Sequence, residues 1–258
     1  MFTVNYHTHT ERCHHAGCPD RQYVEFAVNA GFKVLGFADH SPQIFPGKYY
    51  SDFRMYPYQT EEYFASILAL KEEFKDRIDI KIGFEAEYYP DIFPDLLKHL
   101  AAFPCDYLIL GQHFLNNEFD HPENPRRGST EYIFAYVDQV CAAMRTGYFT
   151  YLCHPDLPWV DEFTPAYYKA MEKLIECAME TEMPLEINCL GIADHRNYPH
   201  RPFWELVGKM GAPVTVGLDA HDPYMFVNEY AFTEAQKIID DYHLTYVEPV
   251  LRPLPKTF

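Results

Sequence analysis

The sequence predicts an α/β protein, a distorted TIM-like (β/α)7 barrel forming one domain over residues 1–258, and three observations carry that prediction. Short β-rich runs alternate with helical stretches along the chain, seven of each. Most of the β-rich runs are continuously apolar, as strands of a parallel sheet buried on both faces must be. Histidines and acidic residues recur at the C-terminal ends of the predicted strands, the rim on which barrel enzymes assemble their sites.

The first strand, Phe2–Tyr6, runs into His7-Thr8-His9 with His14-His15 just beyond, and Gly31 stops the helix Asp20–Ala30 that follows. The second, Val34–Asp39, ends at Asp39-His40. The next helix, Glu61–Lys75, sets Phe64, Ile67, Leu68 and Phe74 on one side of a 3.6-residue wheel. The third strand, Ile80–Tyr88, carries Glu85 and Glu87 and precedes the helix Phe93–Ala102. The fourth, Tyr107–Phe114, contains His113. Segment 116–127 (NNEFDHPENPRR), rich in Asn, Pro and charge, reads as an ordered lid over the barrel mouth, with His121 a lid residue rather than a ligand. The helix Thr130–Arg145 and its stop at Gly147 follow. The fifth strand, Tyr151–His154, continues into Pro155-Asp156 and the helix Pro165–Glu180. The sixth, Leu185–Asn188, precedes the helix Pro202–Met210 with its stop at Gly211, and the seventh, Val214–Asp219, leads through Ala220-His221 to the helix Asn228–Tyr242.

With 48% apolar and 17% aromatic residues among 258, the chain can bury one large core, yet no apolar run reaches the roughly 20 residues of a bilayer span. The N-terminus shows no basic region or small-residue cleavage site, so a cytoplasmic protein is expected. Seven scattered cysteines, none in a C-x-x-C pair, read as reduced and mostly buried thiols. Cys13 and Cys18 flank His14 and His15 but lack the second ligand pair of a structural zinc site. The net charge of −17 repels polyanions, and three divalent cations bring it only to about −11, so a small substrate is expected and nucleic acid is not.

Residues i and i+2 of an extended strand share a face, so His7 and His9 both face the barrel mouth, as do Asp219 and His221. Imidazole with carboxylate suits zinc, iron or manganese, and the scarcity of cysteine argues against a thiolate site. Cations roughly 3.5–4 Å apart polarise phosphoryl oxygens and acidify a bridging water until it attacks as hydroxide. Each motif alone has a plainer reading. Asp39 fits a helix N-cap before Ser41 and Pro42, Asp156 and Asp222 fit caps or supports of neighbouring imidazoles, and His99 and His243 are assigned no role. Recurrence in successive βα units is what points to a multinuclear metal site.

The ordered set His7-x-His9, His15, Asp39-His40, Gly83-x-Glu85, His113-Phe114, Cys153-His154, Glu186-x-Asn188 and Leu218-Asp219-Ala220-His221 resembles the polymerase and histidinol phosphatase (PHP) superfamily. Within it the chain is most similar to the monofunctional histidinol-phosphate phosphatase branch, over nearly its whole length. The resemblance implies a distorted (β/α)7 barrel, three divalent metal ions (zinc, manganese or iron), and hydrolysis of L-histidinol phosphate to L-histidinol and phosphate, a step of histidine biosynthesis. Carried over by position, His7, His9, Glu85 and Asp219 hold one metal. Glu85 bridges to a second, completed by His113 and His154, while His15, His40 and His221 hold the third. Glu85, Asp219 and His221 are the implied catalytic residues. His14 competes with His15 and Glu87 with Glu85, and the family's spacing favours His15 and Glu85. A non-catalytic relative retaining the fold would have lost ligands, whereas every expected position here is filled.

The phosphate also calls for cationic forks. Arg196, with His195 beside it, is the first choice, and Arg201 and Arg126-Arg127 are reserves; Gly191-Ile192-Ala193 departs from the branch in lacking a basic residue immediately after its Asn-x-x-Gly turn. The aromatic run from Phe45 through Tyr63 reads as a wall of the pocket, as core, or as an oligomer contact.

Overall fold

Eight parallel strands pair in chain order, each hydrogen-bonded to the next, in a computed structural model that describes residues 2–118, 124–160 and 162–255. Parallel neighbours need a crossover, and helices supply most of them. The order is β1 (Val4–Asn5), α1 (Asp20–Asn29), β2 (Val34–His40), α2 (Thr60–Glu73), β3 (Asp79–Ala86), α3 (Phe93–Leu100), β4 (Tyr107–Leu110), α4 (Thr130–Arg145) and β5 (Phe149–Leu152). It continues with α5 (Pro165–Glu180), β6 (Leu185–Asn188), α6 (Cys189–Ala193), α7 (Arg201–Met210), β7 (Pro213–Gly217), α8 (Glu229–Asp241) and β8 (Thr245–Tyr246). Ser129 and Thr164 cap α4 and α5 by accepting from the amides of Tyr132 and Tyr167, and Pro165 stands in the first turn of α5.

The sheet curls until its two sides meet. Thr8 and Ala220 form a parallel bridge just past the ends of β1 and β7, with His9 N donating to Ala220 O at 2.9 Å and Ala220 N to His7 O at 3.1 Å. At the opposite end of β7 the short β8 pairs with Pro213 and Val214 instead. The predicted seven-stranded barrel is therefore closed at the rim carrying the histidines, and the eighth strand lies outside the expectation.

Most of the core lies between sheet and helices; a smaller cluster of Ala38, Tyr107, Ile109, Tyr151 and Cys153 packs separately, with Tyr6 and Leu251 against it. The Tyr107 hydroxyl donates to the carbonyls of Tyr6 (2.7 Å) and Phe37 (3.1 Å), satisfying it in that interior.

Five of the seven predicted strands (β1, β3, β4, β5 and β7) stop short of their predicted ends at the site rim, whereas β2 runs one residue further and β6 ends as predicted. β1 ends at Asn5, whose side chain bonds His7 O (3.2 Å), Thr8 Oγ1 (2.8 Å) and Leu218 N (2.9 Å), replacing ladder bonds and turning the chain across the seam. Helix α6, absent from the prediction, is five residues long, too short for a periodic signal; Asn188 caps it by accepting from Gly191 N at 2.9 Å. The middle of the expected lid, His121 included, lies outside the described residues. No described helix is long and apolar enough to cross a membrane.

Candidate metal centre

All nine expected ligands converge on one rim. His15, His40, Glu85, His113, His154, Asp219 and His221 line a cavity of about 480 Å³, and His7 and His9 lie fully buried beneath it. Glu85 is the hub: Oε2 lies 3.0 Å from His40 Nδ1, 3.5 Å from His9 Nε2 and 3.6 Å from His7 Nε2. Its Oε1 lies 2.9 Å from His154 Nε2 and 3.6 Å from His113 Nε2. Asp219 Oδ1 stands 3.1 Å from His9 Nε2, 3.4 Å from His7 Nε2 and 3.3 Å from His221 Nδ1. Gly111 makes room for the hub, since a Cβ there would sit 1.9 Å from Glu85 Oε1.

The hydrogen bonds around each ring fix which nitrogen is bare. His7 Nδ1 donates to Glu186 Oε1 (2.8 Å), His113 Nδ1 to Glu87 Oε1 (2.8 Å), His15 Nδ1 to Cys13 O (2.7 Å) and His221 Nδ1 to Asp219 O (3.0 Å). The Nε2 lone pairs of these rings then face the cluster. His15 Nε2 and His221 Nε2 confront each other at 2.9 Å, and His7 Nε2 and both His9 nitrogens, though buried, have no hydrogen-bond partner among the described residues. Lone pairs aimed at one another and at carboxylate oxygens call for cations between them, so the donor set fits metal ions.

The electrostatics agree. Burial pushes His7 and His9 toward neutrality, but Glu186 and Asp219 around His7, and Asp219 and Asp39 around His9, outweigh it and raise both well above 6.5. Burial, with His9 and His113 nearby, drives His40 down to about 3 despite Glu85, leaving it neutral. Glu85 and Asp219 are held well below the usual carboxylate range, burial being overcome by the surrounding imidazoles. Such a centre binds protons when empty and cations in their stead.

Asp219 (φ 50) and His154 (φ 28) adopt left-handed backbone rather than extended strand, so a turn at Asp219, not strand alternation, brings it together with His221. Asp39 caps no helix: it lies within β2, accepts from Thr10 Oγ1 and from His40 N, and sits 3.5 Å from His9 Nδ1. Asp222 does cap a turn, accepting from Tyr224 N, and Asp156 accepts from His200 N. His14 is exposed and bonds the Asp52 carbonyl instead of the cluster, which leaves its position to His15. Glu87 supports His113 and pairs with Arg54 rather than taking the place of Glu85. The buried Cys13 lies with His15 and His221, the three ligand atoms within 4.8 Å of one another, so a thiol does adjoin a cluster expected to be without one.

Two residues support the ligands in roles that the sequence left unassigned. Glu186 receives His7 Nδ1 on one oxygen and His154 N and Asn188 Nδ2 on the other, both at 3.0 Å. Arg54, fully buried, donates to Glu87 (2.9 Å), Glu118 and Ser41 O (3.0 Å). Glu186 belongs to the Glu186-x-Asn188 motif, which was the available signal; nothing in the sequence marks Arg54.

Of the phosphate candidates, Arg196 lines the cavity, held by Asp194 and by the Tyr198 hydroxyl at 3.0 Å. His195 turns out beside Tyr230, and Arg201 is exposed at the start of α7 and pairs with Asp241. Arg127 stacks over Phe114, itself on the cavity wall, while Arg126 lines separate surface hollows. Of the aromatic run, Phe53 walls the cavity, Met55 and Tyr63 are core, and Tyr58 is exposed.

A sequence model of the PHP domain matches residues 5–189. The "Probable histidinol-phosphatase" of Deinococcus radiodurans is 32% identical over 248 residues, spanning 91% of this chain and 92% of its own. The histidinol-phosphatase of Lactococcus lactis is 25% identical over 242 residues, spanning 86% and 85%. Among solved structures, the histidinol phosphate phosphatase of Lactococcus lactis complexed with zinc, L-histidinol and phosphate superposes with a TM-score of 0.72 at 21% identity, covering 96% of this chain and 97% of that one.

Proposed function

This chain belongs to the PHP domain family, and from that premise we propose that it is a metal-dependent phosphomonoesterase converting L-histidinol phosphate and water to L-histidinol and phosphate. The carrying observation is the set of imidazole nitrogens facing one another and two buried carboxylates, His15 Nε2 against His221 Nε2 at 2.9 Å above all. The similarity to histidinol-phosphatases over nine-tenths of the chain supports the substrate.

His7, His9, Glu85 and Asp219 would hold one cation, Glu85 with His113 and His154 a second, and His15, His40 and His221 a third. Zinc, manganese or iron in that centre supplies Lewis acidity toward the phosphoryl oxygens and a water acidic enough to attack phosphorus. The protein's part is positioning. Glu186 and Glu87 fix the tautomers of His7 and His113, so that Nε2 lone pairs point inward. Arg196, already oriented by Asp194 and Tyr198, offers a guanidinium to the phosphate from the cavity wall. Phe53, Phe114 and Leu157 shield the reacting centre from bulk water. The nucleic-acid backbone finds no counterpart in a chain of net charge −17, and seven unpaired cysteines accord with the cytoplasm as the working compartment.

Phosphate release from L-histidinol phosphate tests the reading: it should vanish on thorough chelation and return with manganese, zinc or iron. Full activity in the chelated protein refutes the mechanism, and preferential turnover of a diester or oligonucleotide in a substrate panel refutes the substrate. Glu85→Gln should abolish turnover with the fold intact.

A further inference from the structure

Among the carboxylates on the cavity wall, Glu85 and Asp219 are committed to the histidines, and Asp52 is not. Its side chain is exposed, and among the described residues no hydrogen bond or ion pair engages its carboxylate; only its carbonyl is used, receiving His14 Nδ1 at 3.1 Å. The two residues that follow it are anchored. Phe53 stands edge-on to His40 with ring centroids 5.2 Å apart, and the Arg54 guanidinium lies 4.5 Å from the Phe53 ring while its fork holds Ser41, Glu87 and Glu118. Asp52 is therefore an unengaged carboxylate on the wall of the cavity, next to residues that are themselves held in place, with Phe53, Phe114 and Leu157 also lining it and Arg196 supplying a cation.

Once the proposed ligands hold cations at its floor, a cavity with an unengaged carboxylate on its wall complements a dipolar substrate, a phosphate at one end and a cation beyond it. L-Histidinol phosphate has that character, because its primary ammonium sits on the second carbon from the ester oxygen. We infer that Asp52 is the specificity residue of this enzyme, receiving the ammonium of the substrate while the imidazole lies against Phe53, Phe114 and Leu157. The inference rests on the substrate reading above. A phosphoester of similar shape without the amine forgoes a charge-assisted contact made by a preformed group, and the preference should be about tenfold or more.

The test compares L-histidinol phosphate with 3-(imidazol-4-yl)propyl phosphate, its des-amino analogue, on the metal-loaded parent and on Asp52→Asn. The parent should prefer the amine-bearing ester by about tenfold or more in kcat/KM, through KM, and the variant should lose that preference. Calorimetric binding of L-histidinol should weaken in parallel, a readout independent of turnover. A parent active on L-histidinol phosphate whose Asp52→Asn variant keeps both the preference and the L-histidinol affinity overturns the inference alone. A parent inert toward L-histidinol phosphate but active on another phosphoester overturns the substrate reading, and this inference with it. Because the side chain is exposed, the variant should fold as the parent does, which its unfolding midpoint checks.

Discussion

Replacing Glu186 by Gln changes no atom position to first order, yet should weaken the metal centre without touching a proposed ligand. One carboxylate oxygen accepts from His7 Nδ1 at 2.8 Å and the other from His154 N and Asn188 Nδ2, both at 3.0 Å. An amide has one acceptor oxygen and one NH2 group. If the oxygen keeps His7, the NH2 is thrust against two donors; if the oxygen faces His154 and Asn188, the NH2 faces His7 and forces the tautomer that puts a proton on Nε2, where a lone pair is needed. Glu186 is closely packed on Gly217, its carboxylate oxygen occupying the space that a Cβ there would need. Loss of such a support typically lowers metal affinity 10- to 100-fold, or about 1.4–2.7 kcal/mol. Competition against a chromophoric chelator at neutral pH measures it, and kcat at saturating metal reports whether geometry suffers too. Affinity within twofold of the parent, with unchanged kcat, refutes the assignment of Glu186 as the residue that orients His7.

Gly111→Ala drives a methyl into Glu85, and displacement of that hub should cost turnover about 100-fold or more in a protein that still melts cooperatively. Arg54→Ala strands Glu87 and Glu118 in the interior without their counter-charge, a loss of about 3–5 kcal/mol read from denaturant unfolding. Arg201→Ala, at an exposed surface pair, should leave turnover unchanged, whereas Arg196→Ala should raise KM for the phosphoester. Burial lowers His7 and His9, but their carboxylate neighbours raise both well above 6.5; a cation must therefore displace protons held up to that range, and metal affinity should climb with pH until it passes their pKa values. Metal content after equilibration at graded pH checks the sign, and an affinity that rises on acidification contradicts it.

The fold and most of the centre were legible because parallel strands obey a simple rule. Apolar runs such as Leu35–Ala38 and Leu108–Leu110 announce buried strands, and the residues that follow them must surface at one rim, which is how His40, Glu85, His113 and His154 could be grouped. What escaped was set by irregular backbone and long-range pairing. Arg54 lies between a strand and a helix, and its partners Glu87 and Glu118 come from two later segments, 33 and 64 residues on. The left-handed turns at His154 and Asp219 leave no periodic trace, and the two-residue β8 is too short for any pattern. Arg201 has the charge that phosphate recognition asks for, but its place in the first turn of α7 carries it to the outer surface.

The bridge between Thr8 and Ala220 has a consequence for assembly. His7 and His9 enter the centre from just past the first strand and Asp219 and His221 from just past the seventh, so its two halves are synthesised some 210 residues apart and meet only where that seam shuts. Neither half completes the pocket alone, and ions held by both halves would act as a clasp on a loop of some 210 residues. Metal bound there would help hold the seam shut, and starving the protein of metal should loosen its first and seventh strands before its middle.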